Sequence, residues 1–278
     1  MKKVSYNFRK AQLEDKEEIL SISDNFNHDY LPYVIDRWLT MGRGGLYLLE
    51  ESNKIVACCL LKFQTSNQAW LAGMRVRPDY HNLGAGGELT GRLTERANYE
   101  GANIVRFVTN LDNYPAQKVG EKHGFYFHSR WMIFYYQDLP HNITTTFDIR
   151  EEMFTNQIDK TSRELFFQEG FTFAELTNPQ FENIDDKDRF LLNVKGEVAF
   201  IGENTENFDK EVTFFVNCMV LLEQLEKIDF YQVIKELLSY LNKHKYYACT
   251  LPIPYELWKQ DRDKLGTLLG KDEGESFI

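Results

Sequence analysis

Apolar and polar positions alternate with different periods along the first 140 residues, and the changes of period mark elements. VSYNFRKA reads as a strand. LEDKEEILSISDNF follows as a helix, with Ile19, Leu20 and Ile22 on one side and acids in its first turn. DYLPYVIDRWLTMG is a second helix, and Pro32 suits its first turn. GGLYLLEESNKIVACCLLKFQ is two strands around a polar turn, and AWLAGMRVRP is another strand. Next comes a helix with Ala85, Leu89, Leu93 and Ala97 at four-residue spacing, ended by Gly101. NIVRFVTN is a short buried strand. PAQKVGEKHG is a helix between Pro115 and Gly124, and FYFHSRWMIFYYQ closes the domain as a strand. The order is β-α-α-β-β-β-α-β-α-β, and its last two strand–helix–strand crossings require a partly parallel sheet. The fold class is therefore α+β with a mixed sheet.

DLPHNITTTFDIREE is polar and without periodicity, which places a domain boundary between 140 and 150. Residues 150–278 then read as a second α/β domain. It has a hairpin around Lys195-Gly196, a longer strand KEVTFFVNCMVLLE, a helix FYQVIKELLSYLNKHK, a strand YYACTLPIP, a helix YELWKQDRDKLGTLLG and a last strand GESFI. This repeats the β-β-β-α-β-α-β part of the first half without a glycine-rich loop. A degenerate repeat and an unrelated α+β succession are both open readings.

The totals, 43% hydrophobic, 14% aromatic and 27% charged over 278 residues, are those of an ordinary globular protein rather than a disordered one. The start, MKKVSYNFRK, is polar and charged, so no signal peptide is expected, and VTFFVNCMVLL is too short and interrupted to span a bilayer. Cys58, Cys59, Cys218 and Cys249 lack metal-ligand spacing and read as free thiols in a cytoplasmic protein; no metal site is expected. The net charge of −10 argues against a nucleic-acid partner. It is uneven: residues 1–150 carry 18 Lys+Arg against 17 Asp+Glu, and residues 151–278 carry 14 against 25. An anionic ligand belongs more naturally in the first half.

RPDYHNLGAGGELTGRL, Arg77 to Leu93, supplies the chemistry for one. Gly84 to Gly87 are small residues placed where a helix begins. The first N–H groups of a helix have no internal partner and sit at the positive end of its dipole, and glycines let a pyrophosphate approach them. No lysine follows as in a P-loop, and Leu89 occupies the third glycine position of the dinucleotide pattern.

The stretch resembles the acetyl-CoA signature of the GNAT N-acetyltransferases, matched by Val76, Pro78, Gly84 and Gly86. Asn113, Ala116, Gly124 and Phe125 match the second motif of that family. The resemblance covers residues 1–140, and DYLP and AWLAGMRV are similar to the histidine N-acetyltransferase branch. It implies a GNAT-like first domain with acetyl-CoA in a gap between splayed strands. Met74, Arg75 and Val76 would hold the pantetheine arm. His81, Asn82, Leu83, Gly84, Ala85, Gly86 and Gly87 would form the pyrophosphate loop, and Asn113 and Ala116 would flank the thiol end. The acetyl group would pass directly from sulfur to the amine of a small molecule or amino acid.

Three positions depart from the family pattern. His81 replaces Arg or Gln, Gly120 replaces a tyrosine that protonates the thiolate, and Ala72 and Gly73 replace a glutamate base. Candidates for the missing chemistry are Tyr114 and Tyr126, near the expected thiol site, and Asp29, in the segment that shapes the acceptor pocket together with Tyr30. Each has a plainer reading: packed aromatics for the tyrosines and a helix cap for Asp29. His28, His81 and His123 read equally as surface, turn and helix-end histidines. Cys58 and Cys59 read as core, and ENIDDKD as a solvated face. Enzyme is the favoured reading because positioning alone supplies much of the rate of such a transfer. The alternatives are a non-catalytic acyl-CoA sensor and a scaffold whose acidic half binds partners. The second half could also pair subunits into a homodimer.

Overall fold

The computed structural model describes residues 5–23, 29–137, 149–152, 165–168, 172–175, 189–194, 198–206, 212–221, 228–269 and 275–277. His28, Lys195, Gly196 and the ENIDDKD run lie outside them. The chain divides into two compact units, 1–127 and 128–278.

The first unit is a five-stranded sheet with helices on both faces. Its strands are β1 (Asn7–Lys10), β2 (Gly45–Glu51), β3 (Lys54–Phe63), β4 (Gln68–Val76) and β5 (Ile104–Arg106), in that spatial order. The first four are antiparallel neighbours, and β4 and β5 run parallel. Strand alternation sends neighbouring side chains to opposite faces. Cys59 therefore packs with Leu49, Leu61 and α3 (Ala85–Tyr99), and Cys58 packs with Leu46, Leu48 and the pair α1 (Lys16–Ser23) and α2 (Leu31–Leu39). Both thiols are buried, as expected of core residues, and burial pushes Cys58 up to about 12. Ala85, Leu89, Leu93 and Ala97 form the buried stripe of α3 that the four-residue spacing predicts. Gly101 (φ 96°) and Gly124 (φ 82°) end α3 and α4 (Tyr114–Lys122) in the left-handed conformation that glycine adopts at least cost.

The second unit holds a seven-stranded sheet in the order β14-β6-β13-β12-β11-β10-β7. Its strands are β6 (Trp131–Gln137), β7 (Ile149–Glu152), β10 (Arg189–Val194), β11 (Val198–Glu206), β12 (Val212–Leu221), β13 (Ala248–Pro254) and β14 (Glu275–Phe277). A separate hairpin joins β8 (Leu165–Gln168) to β9 (Thr172–Glu175). The core lies where α5 (Phe230–Lys243) lays Phe230, Val233, Ile234, Leu237, Leu238 and Leu241 against Leu251, Ile253 and Trp258.

Three expectations are corrected. The strand expected to close the first domain is β6, and it pairs along its whole length with β13 of the second unit, Trp131↔Pro254 to Gln137↔Ala248. Strand pattern specifies a buried face but not which sheet supplies it. β7 falls inside the polar stretch taken for a linker; as an edge strand it is held by its ladder to Leu191–Val194 and needs no strong alternation. YELWKQDRDKLGTLLG is two helices, α6 (Tyr255–Gln260) and α7 (Arg262–Leu269), separated at Asp261, whose φ of −122° leaves the helical region.

Candidate functional site

β4 and β5 pair at only three rungs, Gln68↔Ile104, Ala69↔Val105 and Trp70↔Arg106, although β4 continues to Val76. β5 ends at Arg106, so the ladder stops at Trp70 and β4 runs on past it. Within that stretch β4 bulges: Leu60 faces Ala72 and Cys58 faces Arg75, so Gly73 and Met74 together oppose Cys59. Gly73 has φ 60°, and an isolated glycine within a strand pattern is the sequence signal of such a bulge. Met74, Arg75 and Val76, expected to line the gap, lie on this segment.

β4 leads through a single-turn 3-10 helix (Pro78–Tyr80) to the start of α3. Asn82 (φ 62°) and Gly84 (φ 89°) turn the chain there, with Leu83 45% exposed between them. Gly84 is the N-cap residue, and among the described residues no side-chain cap accepts at the start of α3. The glycines have separate reasons. A Cβ on Gly84 would meet open space, so its left-handed backbone is what calls for glycine. A Cβ on Gly86 would lie 3.6 Å from Met74 Sδ and 3.8 Å from Val76 Cγ2, which sets α3 close on β4. A Cβ on Gly87 would lie 3.3 Å from His123 Nε2, so His123 packs α4 on α3 as well as ending α4. Ala85 is buried and offers only its backbone. His81 is exposed and donates from Nε2 to the Val76 carbonyl at 3.0 Å.

The second motif has a structural role of its own. Asn113 caps α4, accepting the Ala116 N–H at 3.3 Å, so its side chain is engaged in its own helix. At Gly120, a Cβ would stand 2.7 Å from Phe107 Cζ, and Phe107 in turn packs edge-on against Phe125 with centroids 5.1 Å apart. The ring fills the space where a side chain from position 120 would begin. Tyr114 and Tyr126 are 65% and 82% exposed.

Asp29 is held fast. Arg75 donates to it through Nε (2.8 Å to Oδ2) and Nη2 (2.7 Å to Oδ1), and Leu31 N–H donates to Oδ1 at 3.0 Å. The two side chains are 4% and 14% exposed. Burial lowers the Arg75 pKa, but the bonds to Asp29 outweigh it and leave the guanidinium above its ordinary value. A carboxylate so engaged, and capping α2, is a fixed counter-charge. Beside it, Tyr30 and Trp38 pack over the Gly73 bulge. Sequence reasoning missed the Arg75 partnership because 46 residues separate the pair. Among the described residues no group of three or more His, Cys, Asp or Glu is placed to hold a metal ion. Nor is any described helix long and apolar enough to cross a membrane.

An uncapped, glycine-started helix beside a strand that runs on past its parallel neighbour can take a phosphorylated, extended ligand along the strand. Residues 9–125 match the model of the Acetyltransferase (GNAT) family. Among solved structures, the chain is similar to a GCN5-related N-acetyltransferase from Sphaerobacter thermophilus, with 12% identity over 98% of this chain and 94% of that one and a TM-score of 0.62. It is also similar to a GCN5-related N-acetyltransferase from Anabaena variabilis, with 11% identity over 98% and 72% and a TM-score of 0.51. Identities this low speak for shared fold alone. No curated protein matches the chain.

Proposed function

We propose that the first unit binds acetyl-CoA and that the chain is an N-acetyltransferase acting on the amine of a small molecule or amino acid. The observation that carries this is the run of β4 past the end of β5 after Trp70, next to the uncapped start of α3 at Gly84. The family of residues 9–125 supports acetyl transfer as the chemistry. Backbone N–H groups from Leu83 to Gly87 are suited to the pyrophosphate. The edge of Met74 to Val76 is suited to the amide-bearing arm, which runs toward the bulge at Gly73. The amine nitrogen attacks the thioester carbon, the C–N bond forms, and the C–S bond breaks with its electron pair on sulfur. The proton lost by the amine is matched by one gained by the thiolate. The second unit, with its own three-rung parallel pairing of β12 and β13 and a helix between them in sequence, supports the reading of a degenerate copy of the first.

A second reading, an acyl-CoA sensor without catalysis, is favoured by the Phe107–Gly120 contact, which denies α4 an acid at that position. Calorimetric titration with acetyl-CoA, followed by a thiol-release screen of amines and amino acids, separates the two. Histidine belongs in the first panel because of the DYLP and AWLAGMRV similarity. Binding with amine-dependent thiol release supports the transferase. Binding without release supports the sensor, and absence of binding removes both.

A further inference from the structure

We propose that Tyr30 supplies the side-chain hydroxyl of the acyl-transfer centre and that the Arg75–Asp29 pair is the latch that positions it. The proposal rests on the acetyl-transfer reading of the same gap.

The bulge at Gly73 lies three residues past the last rung that β4 shares with β5, on the stretch of β4 that runs past the end of β5. What stands over it is decided by the missing side chain. A Cβ on Gly73 would lie 2.6 Å from Trp38 Cη2 and 3.2 Å from the Tyr30 hydroxyl oxygen. Position 73 thus gives up its own side chain and receives a phenol from the start of α2.

The phenol is constrained on every side the structure describes. Trp38 meets its ring edge-on at 6.0 Å between centroids. The Arg75 guanidinium lies over the ring at 5.3 Å. Arg75 is tied bidentately to Asp29, the residue before Tyr30, and Asp29 also accepts from the N–H of Leu31, the residue after it. A buried ion pair is costly to build and weak evidence of stability alone. Here it fixes one residue, from both sides, against the bulge. Tyr30 nevertheless remains 47% exposed, so it is packed on one side and open on the other. Burial is the main cause that raises its pKa above the ordinary 10.0. Arg75 opposes the rise and Asp29 adds to it. At neutral pH the group is a hydroxyl with a proton to donate. In the transfer that proton goes to the departing sulfur as the C–S bond breaks, and the phenolate regains a proton from the amine that has just formed its C–N bond, directly or through water. Atoms and charge balance with no further reactant.

Tyr30→Phe keeps the ring against Trp38 and Arg75 and removes only the oxygen. It is compared with the wild-type full chain using acetyl-CoA and the fastest amine of the thiol-release panel. The expected result is a fall in kcat of about 10²-fold, with acetyl-CoA affinity within twofold. Incorporation of 3-fluorotyrosine at position 30, which restores the oxygen, recovers most of the rate. Asp29→Asn, which weakens the latch, lowers kcat less than Tyr30→Phe. A Tyr30→Phe protein with wild-type kcat overturns the proposal and leaves the transferase standing. So does loss of rate that fluorotyrosine fails to recover, since the loss then lies in packing. Wild-type protein that binds acetyl-CoA but releases no thiol with any amine overturns it in favour of the sensor. Wild-type protein that does not bind acetyl-CoA removes the underlying reading itself.

Discussion

The two units begin their central helices in opposite ways. Each has a parallel pair of strands joined at three rungs, β4 with β5 at Gln68–Trp70 and β12 with β13 at Thr213–Phe215, and each places a helix between those strands in sequence. In the first unit that helix starts at Gly84, left-handed and without a side-chain cap. In the second it starts at Asp229, whose carboxylate accepts the Gln232 N–H at 3.2 Å. The aspartate satisfies a backbone donor and complements the helix dipole, which stabilises the helix. It also puts a negative charge where a phosphate would have to sit. The glycine gives up that stabilisation and leaves its donors without a side-chain cap, as the proposed anion site requires. A parallel strand pair with a helix between its strands thus starts that helix in two ways, and a single residue type distinguishes them.

Perturbations of the flanks should separate the units. The largest stability effect is expected from Asp29→Ala, which removes the carboxylate that Arg75 Nε and Nη2 both reach. A loss of about 3–5 kcal/mol is predicted, measured from the denaturant midpoint of the full chain. A loss below 1 kcal/mol would mean that the pair is not desolvated as its 4% and 14% exposures imply. Gly120→Ala sets a methyl against the Phe107 ring, and overpacking of about 1–3 kcal/mol is expected. Relief by Phe107→Leu in the same chain would confirm the cause. Asp229→Ala should cost about 1 kcal/mol and leave acetyl-CoA affinity unchanged, as expected of a cap outside the proposed site.

The smallest effect concerns pH. Hydrogen bonds from Arg9 hold the Asp15 and Glu50 carboxyls below their ordinary values. Groups depressed in the folded state contribute fully above the unfolded carboxylate pKa, about 4, and lose that contribution as pH falls through their lowered values. Unit one should therefore weaken below about pH 4, and Arg9→Met should flatten that acid limb in a pH series of thermal melts.

Much of the first unit was legible because its elements are local. The four-residue stripe of α3, the proline and glycine limits of α4 and the glycine start at Gly84 all lie within one element. What escaped was non-local. β6 carries the same apolar pattern whichever sheet it joins. The Asp29–Arg75 pair and the Phe107 ring over Gly120 depend on partners distant along the chain. Asp29 looked like a base because a lone carboxylate in a loop reveals nothing of the arginine that claims it. Tyr114 and Tyr126 were chosen for their nearness to the motif in sequence, whereas Tyr30 reaches the bulge only through the fold.

The most direct test of this account is calorimetric titration of acetyl-CoA into the full chain, its Gly84→Asp variant and its Asp229→Ala variant. Gly84→Asp copies the second unit's helix start into the first. The account predicts one site per chain in the wild type, at least a hundredfold weaker binding in Gly84→Asp, and wild-type binding in Asp229→Ala. Two sites per chain, or wild-type affinity in a folded Gly84→Asp protein, would contradict it.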